Sequence, residues 1–180
     1  VRSLLPTAGE TDSAPMVLDA EALRSMATVD HWWDVGDQRA AVLTPHPGEF
    51  ARLIGSTVAA VQADREALAV RFAAERHLVL VLKGHQTLVS DGQRLYRNTT
   101  GNPGMATGGT GDVLTGMIAA WLAQLLDAEA ACKLAVYLHG MAGDLAEADD
   151  GEVSMTAGDL AAHLGDAVME LTARRKVVEK

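Results

Sequence analysis

Residues 102–116 read NPGMATGGTGDVLTG, and the reading of this stretch decides the fold. Six of the 17 glycines lie between Gly101 and Gly116, and three of them, Gly108, Gly109 and Gly111, stand directly before an apolar repeat of helical period. In that repeat Val113, Leu114, Met117, Ile118, Trp121, Leu122 and Leu125 share one broad face, which predicts a buried helix starting at Thr110. Glycines ahead of a helix let bare N–H groups approach an anion closely, and the helix start adds partial positive charge at the same point. The stretch therefore predicts a phosphate-handling turn. Asp112 falls in the first helical turn, where the helix dipole favours a carboxylate although a nearby phosphate would repel it. A carboxylate inside an anion site is also what phosphoryl transfer to a hydroxyl requires of a base. No lysine follows the glycines as in GxxxxGK[ST], and the spacing is not GxGxxG after a strand, so neither common nucleotide motif applies.

Outward from the loop, short apolar runs alternate with stretches of helical period, the pattern of an α/β protein with helices layered on a mostly parallel sheet. Residues 15–18 read as a buried strand ending at Asp19, with a helix from Ala20. A second strand at residues 41–43 stops at Thr44-Pro45, because proline disfavours helical geometry in the residue before it, and Pro47 can open the next helix. Residues 58–75 carry Val61, Leu68 and Phe72 among charges and predict one half-exposed helix. Residues 78–82 form a continuous apolar strand ended by Lys83-Gly84. Residues 87–90 and 94–96 flank Asp91-Gly92, a dipeptide suited to a tight hairpin turn. Two helices close the chain, over about residues 128–147 and 157–174, the second with Thr156 as N-cap and Asp159 three residues on. Residues 1–180 are expected to form a single domain with residues 1–14 as an irregular lead-in, so that the domain begins mid-fold.

Composition narrows the function classes. Of the 180 residues, 48% are hydrophobic and 22% charged, enough to bury a sizeable core. A net charge of -9 repels duplex nucleic acid and anionic membranes. No apolar run reaches the roughly 18 residues that cross a bilayer and no leader pattern opens the chain, so a cytoplasmic protein is expected. The single cysteine, Cys132, cannot form an internal disulfide and reads as a small core residue. His31, His139 and His163 lie in no motif and read as surface or satisfied core histidines.

The glycine loop with Asp112 resembles the anion hole and catalytic base of the ribokinase-like superfamily. Together with LTPHPGEFARLIG (residues 43–55) and VLKGHQTLVSDG (residues 81–92), NPGMATGGTGDVLTGMIAA (residues 102–120) is similar to the ADP-dependent NAD(P)H-hydrate dehydratases, repair enzymes related to the C-terminal domain of YjeF proteins. The likeness runs from about Val17 onward, where Val17-Leu18-Asp19-Ala20 fits the family's strand-to-helix junction. It implies a ribokinase-like three-layer α/β/α fold whose N-terminal strands are missing from this chain. It further implies that Asp112 is the catalytic base and touches the hydrate, that His46 of TPHPGE also touches the hydrate, and that Glu49 follows in the next helix. Lys83, Gly84, His85, Gln86, Thr87 and Gly111 would hold ADP or AMP, and Gly108, Gly109, Thr110 and Gly111 would form the anion hole. Magnesium would accompany the nucleotide, with no metal ligand assigned among the residues.

The implied reaction is ADP-dependent dehydration of the S-epimer of NAD(P)H hydrate, restoring NAD(P)H and releasing AMP and phosphate, with ATP as an alternative donor. The implied partners are that hydrate, an adenine nucleotide, further copies of the chain in a tetramer, and an NAD(P)H-hydrate epimerase acting alongside. Two other readings share some of the residues. A ribokinase-like ATP-dependent small-molecule kinase would use the loop and Asp112 but gives no reason for TPHPGE. A truncated, non-catalytic nucleotide-binding module would follow if the family strands expected before Val1 are needed for turnover.

Overall fold

The computed structural model describes residues 14–29, 41–125 and 127–178. The expected lead-in, apart from Ala14, lies outside these residues, as does His31.

Among the described residues five strands form one sheet in the order β1-β2-β3-β4-β5. β1 (Met16–Leu18), β2 (Ala41–Leu43) and β3 (Val79–Leu82) run parallel, and β4 (Leu88–Ser90) and β5 (Leu95–Arg97) are added antiparallel. The sheet is buried on both faces by a strict division of side chains. Leu18, Leu43, Leu80, Leu82 and Leu88 pack on one side, while Val17, Val42, Val79, Val81 and Val89 pack on the other. Period-2 alternation sends neighbouring side chains to opposite faces, so an apolar run such as VLVL is what a strand covered from both sides needs.

The leucine face is covered by α1 (Glu21–Met26), α2 (Pro47–Leu53), α3 (Val58–Ala63) and α4 (Arg65–Arg76), which contribute Leu23, Phe50, Val61 and Phe72. Phe50 and Phe72 meet edge to face with ring centroids 5.1 Å apart. The valine face is covered by α5 (Thr110–Leu125) and α6 (Ala128–Asp150) through Leu114, Ile118, Leu122, Cys132 and Val136. A third apolar cluster sits beyond the sheet, where α7 (Ala157–Ala162) and α8 (Leu164–Val178) pack Leu160 and Ala167 against Leu138 and Ala142 of α6. The layering is α/β/α, as expected.

Two expected helices are each divided. Residues 58–75 break at Asp64, whose φ of -142° and ψ of 45° are not helical. The helix expected over 157–174 turns at His163, where φ is -85° and ψ 1°. Neither break carries a proline or glycine, so the apolar period passes through both without a local mark. The hairpin at Asp91-Gly92 forms as read: Asp91 Oδ1 accepts from the N–H groups of Gln93 (2.9 Å) and Arg94 (2.7 Å). Gly92 has φ 89°, and a Cβ there would lie 2.4 Å from the backbone of Ala74 on α4. Only glycine satisfies both demands.

Candidate active site

The C-terminal ends of the three parallel strands open on the same edge of the sheet, the place where open α/β sheets bind ligands. β1 delivers Asp19, β2 delivers Thr44-Pro45-His46, and β3 delivers Lys83. Main-chain bonds keep these ends together: Thr44 N–H donates to the Leu18 carbonyl (3.1 Å) and Lys83 N–H to the Pro45 carbonyl (2.9 Å).

Lys83 does not extend freely into water. Its ammonium donates to Asp19 Oδ1 at 2.8 Å, and the two side chains are 19% and 11% exposed. Asp19 Oδ2 accepts from the Thr115 hydroxyl of α5 at 3.0 Å. Burial pushes the Asp19 carboxyl up, but Lys83, the Ala20 N–H and Thr115 together outweigh it and hold Asp19 below the ordinary carboxylate range. Gly111 completes the group. A Cβ built there would lie 3.4 Å from Lys83 Nζ and 3.7 Å from Asp19 Oδ2. Thr115 follows Gly111 by one helical turn, which puts both on the same face of α5.

The glycine loop is held in shape by contacts behind it. The Thr110 hydroxyl donates to the carbonyls of Met105 (2.9 Å) and Thr107 (3.0 Å), and its own carbonyl meets His139 Nε2 at 2.9 Å. Asn102 caps the 3₁₀ turn Pro103–Met105 through Gly104 N–H (3.0 Å) and donates to the Gly143 carbonyl (2.8 Å). Gly101 N–H donates to Asp144 Oδ2 at 2.9 Å. The loop is thus tied to α6 before it enters α5. Gly109 has φ 95° and needs glycine for its backbone, whereas Gly108 has no positive φ and nothing within 4 Å of a Cβ position. Asp112 lies exposed in the first turn of α5, beside Gly111.

His46 serves the fold as well as any ligand. It is the N-cap of α2: its Nδ1 accepts from Gly48 N–H (3.0 Å) and Glu49 N–H (3.3 Å), and Glu49 Oε2 accepts in return from His46 N–H at 2.8 Å. This is a capping box with an imidazole in the place of a hydroxyl. The side chain remains 54% exposed, with its Nε2 3.6 Å from Glu49 Oε2.

The segment Lys83, Gly84, His85, Gln86, Thr87 is a turn with two residues at positive φ, Gly84 at 131° and Gln86 at 53°. The Thr87 hydroxyl donates to the Gly84 carbonyl (3.0 Å), and Arg65 at the start of α4 donates to the carbonyls of His85 (2.7 Å), Leu82 (3.3 Å) and Lys83 (3.4 Å). The His85 side chain is exposed and only its carbonyl is held. In the sequence Asp19 is only a strand end, and Arg65 and Thr115 carry no local signal, because their partners lie far away in the chain. Among the described residues no group of three or more His, Cys, Asp or Glu side chains could hold a metal.

Outside the site, Cys132 is buried and burial pushes its thiol up to about 12, so it is an inert core residue. His139 is a satisfied core histidine, and His163 lies between Asp166 (3.3 Å) and Asp149 (3.6 Å). No helix of the described residues is long and apolar enough to cross a membrane.

A double-sided sheet with a glycine loop and helix start at the carboxyl ends of its parallel strands defines a ribokinase-like α/β protein. Comparison with known proteins then narrows the class: a profile of the NAD(P)H-hydrate dehydratase family matches residues 5–165, and the chain belongs to that family. It is 50% identical over 162 residues to the bifunctional NAD(P)H-hydrate repair enzyme of Moorella thermoacetica, covering 89% of this chain and 29% of that protein. To the ADP-dependent (S)-NAD(P)H-hydrate dehydratase of Neisseria meningitidis serogroup B it is 44% identical over 156 residues, covering 84% of this chain and 52% of that protein. The chain thus spans between about a third and about a half of these relatives. Among solved structures, the ADP/ATP-dependent NAD(P)H-hydrate dehydratase of Bacillus subtilis, co-crystallized with ATP/Mg2+ and soaked with CoA, superposes with a TM-score of 0.78 at 37% identity. That match covers 87% of this chain and 56% of the other. A hydroxyethylthiazole kinase of Pyrococcus horikoshii shares the fold at TM-score 0.63 and 21% identity.

Proposed function

We propose that this chain carries the nucleotide and hydrate sites of an ADP-dependent (S)-NAD(P)H-hydrate dehydratase. The observation that carries the reading is the meeting of Lys83, Asp19, Thr115 and Gly111 at the start of α5 with Asp112 exposed beside them. It puts a cation and a helix start next to an unburied carboxylate, which is what moving a phosphoryl group onto a hydroxyl needs.

Hydroxide is a poor leaving group and phosphate a good one. In the proposed reaction Asp112 takes the proton of the hydrate hydroxyl as its oxygen attacks the terminal phosphoryl of ADP, and the bond to AMP breaks. The N–H groups of Gly108, Gly109, Thr110 and Gly111 hold the charge that develops on the phosphoryl oxygens. The ring nitrogen then expels phosphate from carbon, the neighbouring carbon loses a proton, and the double bond of NAD(P)H returns. Lys83, Gly84, His85, Gln86 and Thr87 would hold the adenine nucleotide, and the Nε2 edge of His46 would meet the hydrate. Magnesium, when carried in on the phosphates, would offset their charge. ATP in place of ADP, a tetrameric assembly, a partner epimerase and a cytoplasmic setting belong to the same proposal.

The test is the chain itself given S-NADPH hydrate and ADP. Recovery of the NADPH absorbance with one AMP and one phosphate per turnover supports the reading. Accumulation of a stable phosphorylated product points instead to a small-molecule kinase. Nucleotide binding without turnover points to a non-catalytic module.

A further inference from the structure

Resting on the nucleotide reading above, we infer that Asp19 is a positioning residue of the phosphate site: it fixes the Lys83 ammonium over Gly111 and ties it, through Thr115, to the first turns of α5. Three elements meet at this one carboxylate. Asp19 ends β1, Lys83 ends β3 and Thr115 lies on α5, so the bonds span 64 and 96 residues of chain. Both carboxylate oxygens are engaged, Oδ1 by Lys83 at 2.8 Å and Oδ2 by Thr115 at 3.0 Å.

The physical need is clear from the lysine. Its ammonium rides on a flexible four-carbon stem with large rotamer freedom, which must be lost before it can meet a phosphate. A carboxylate that already holds the ammonium removes that freedom ahead of binding, which is preorganisation. Asp19 also sets where the charge sits. The Lys83 Nζ lies within van der Waals reach of a Cβ position at Gly111, on the face of α5 that Thr115 shares. Glycine at 111 is demanded neither by a positive φ nor by a clash, and a side chain there would abut the Lys83 ammonium and the Asp19 carboxylate.

The backbone supports the same assignment. Ala20, directly after Asp19, has φ 46° and ψ -114°, a conformation that side-chain-bearing residues avoid. Such strain persists where surrounding contacts over-determine it, and it concentrates at functional sites. Here the contacts that aim the carboxylate inward are the bonds to Lys83 and Thr115. Asp19 makes no transfer itself; it acts through Lys83.

The experiment compares the full chain with Asp19→Asn by two readouts. The first is the rate at which an N-hydroxysuccinimide acetate ester acetylates Lys83, measured by peptide mass spectrometry against Lys133 in the same molecule. The second is the calorimetric affinity for ADP, with KM and kcat for ADP-dependent hydrate turnover. The expected result is Lys83 acetylated at least fivefold faster in Asp19→Asn, ADP bound at least tenfold more weakly, and KM for ADP raised more than kcat is lowered. Thr115→Val, which removes one bond and keeps the carboxylate, should give the same changes at about a third of the size. Unchanged acetylation and unchanged ADP affinity in Asp19→Asn overturn the positioning role. A wild-type chain that binds no ADP, with Lys83 still freed by Asp19→Asn, overturns the nucleotide reading and with it the phosphate role, leaving the Asp19 hold on Lys83 intact. If Asp19→Asn does not fold, Thr115→Val with wild-type acetylation and ADP affinity overturns the proposal on its own.

Discussion

The imidazole of His139 on α6 holds the carbonyl of Thr110 at 2.9 Å, so a buried histidine steadies the residue at which the glycine loop becomes α5. The carbonyl accepts, so Nε2 carries a proton. Burial drives the His139 pKa down from 6.5 to about 4, the Thr110 bond opposes that, and the nearby Lys83 charge adds to it. An unfolded chain binds the proton near pH 6.5 while the folded one resists until about pH 4. Stability contributed by neutral His139 is therefore complete above pH 6.5 and lost as pH falls through that window, by on the order of 3 kcal/mol at its foot. Asp19, held below its ordinary value, loses its contribution in a lower window, as pH falls through its folded pKa. Urea unfolding of the wild-type chain between pH 7 and 4.5 should show the loss, and His139→Asn should flatten the profile. A variant as pH-dependent as the wild type would remove His139 as the source.

Three glycines of the loop should respond differently to alanine, and the contrast separates fold from ligand. Gly109 has φ 95° and would bring a Cβ to 3.1 Å from Ala157, so Gly109→Ala should lose about 1–3 kcal/mol of stability. Gly108 and Gly111 lack both problems, and Gly111 lies within α5, where alanine is favoured over glycine by up to about 1 kcal/mol. Gly108→Ala and Gly111→Ala should therefore keep or raise the melting temperature while weakening ADP at least tenfold. Wild-type ADP affinity in both stable variants would show that no anion sits against this backbone.

The loop, α5 and the hairpin were legible in the sequence because their causes are local: glycines with Asp112, an apolar stripe of period 3.6, and Asp91-Gly92 between two short strands. The parallel strands were legible because they are short, continuous apolar runs ended by Asp19, Thr44-Pro45 and Lys83-Gly84. The breaks at Asp64 and His163 were not, since tertiary packing bends the chain there without a residue that demands it. The Asp19–Lys83–Thr115 group was hidden for the opposite reason. Each residue has a bland local reading, and only the folding of β1, β3 and α5 to one edge brings them together. His46 shows a third case, in which motif and cap are the same residue.

That double use of His46 can be separated by substitution. Its Nδ1 accepts from the N–H groups of Gly48 and Glu49, a task that asparagine performs well at an N-cap, whereas alanine performs none of it. His46→Ala should lose about 1 kcal/mol, within the usual range for a lost cap, and His46→Asn should lose little. If the Nε2 edge meets the hydrate, His46→Asn should nonetheless lower kcat/KM at least tenfold with an unchanged melting temperature. Full activity in that variant would assign His46 to the cap alone.

Asp112 offers the sharpest test of the proposed chemistry, because the fold makes little use of it. It lies exposed in the first turn of α5, where its charge meets the helix dipole, worth about 0.3–1 kcal/mol at a surface position. Asp112→Asn keeps the shape, removes the base, and should leave stability within that range. General-base loss typically lowers rates by about 10²–10⁴, so kcat for hydrate turnover should fall by that order. The ADP dissociation constant should stay within about threefold, or tighten, since a carboxylate beside the phosphate site repels its charge. A kcat close to wild type would sink the base assignment, and a parallel loss of ADP affinity would move Asp112 from the chemistry to nucleotide binding.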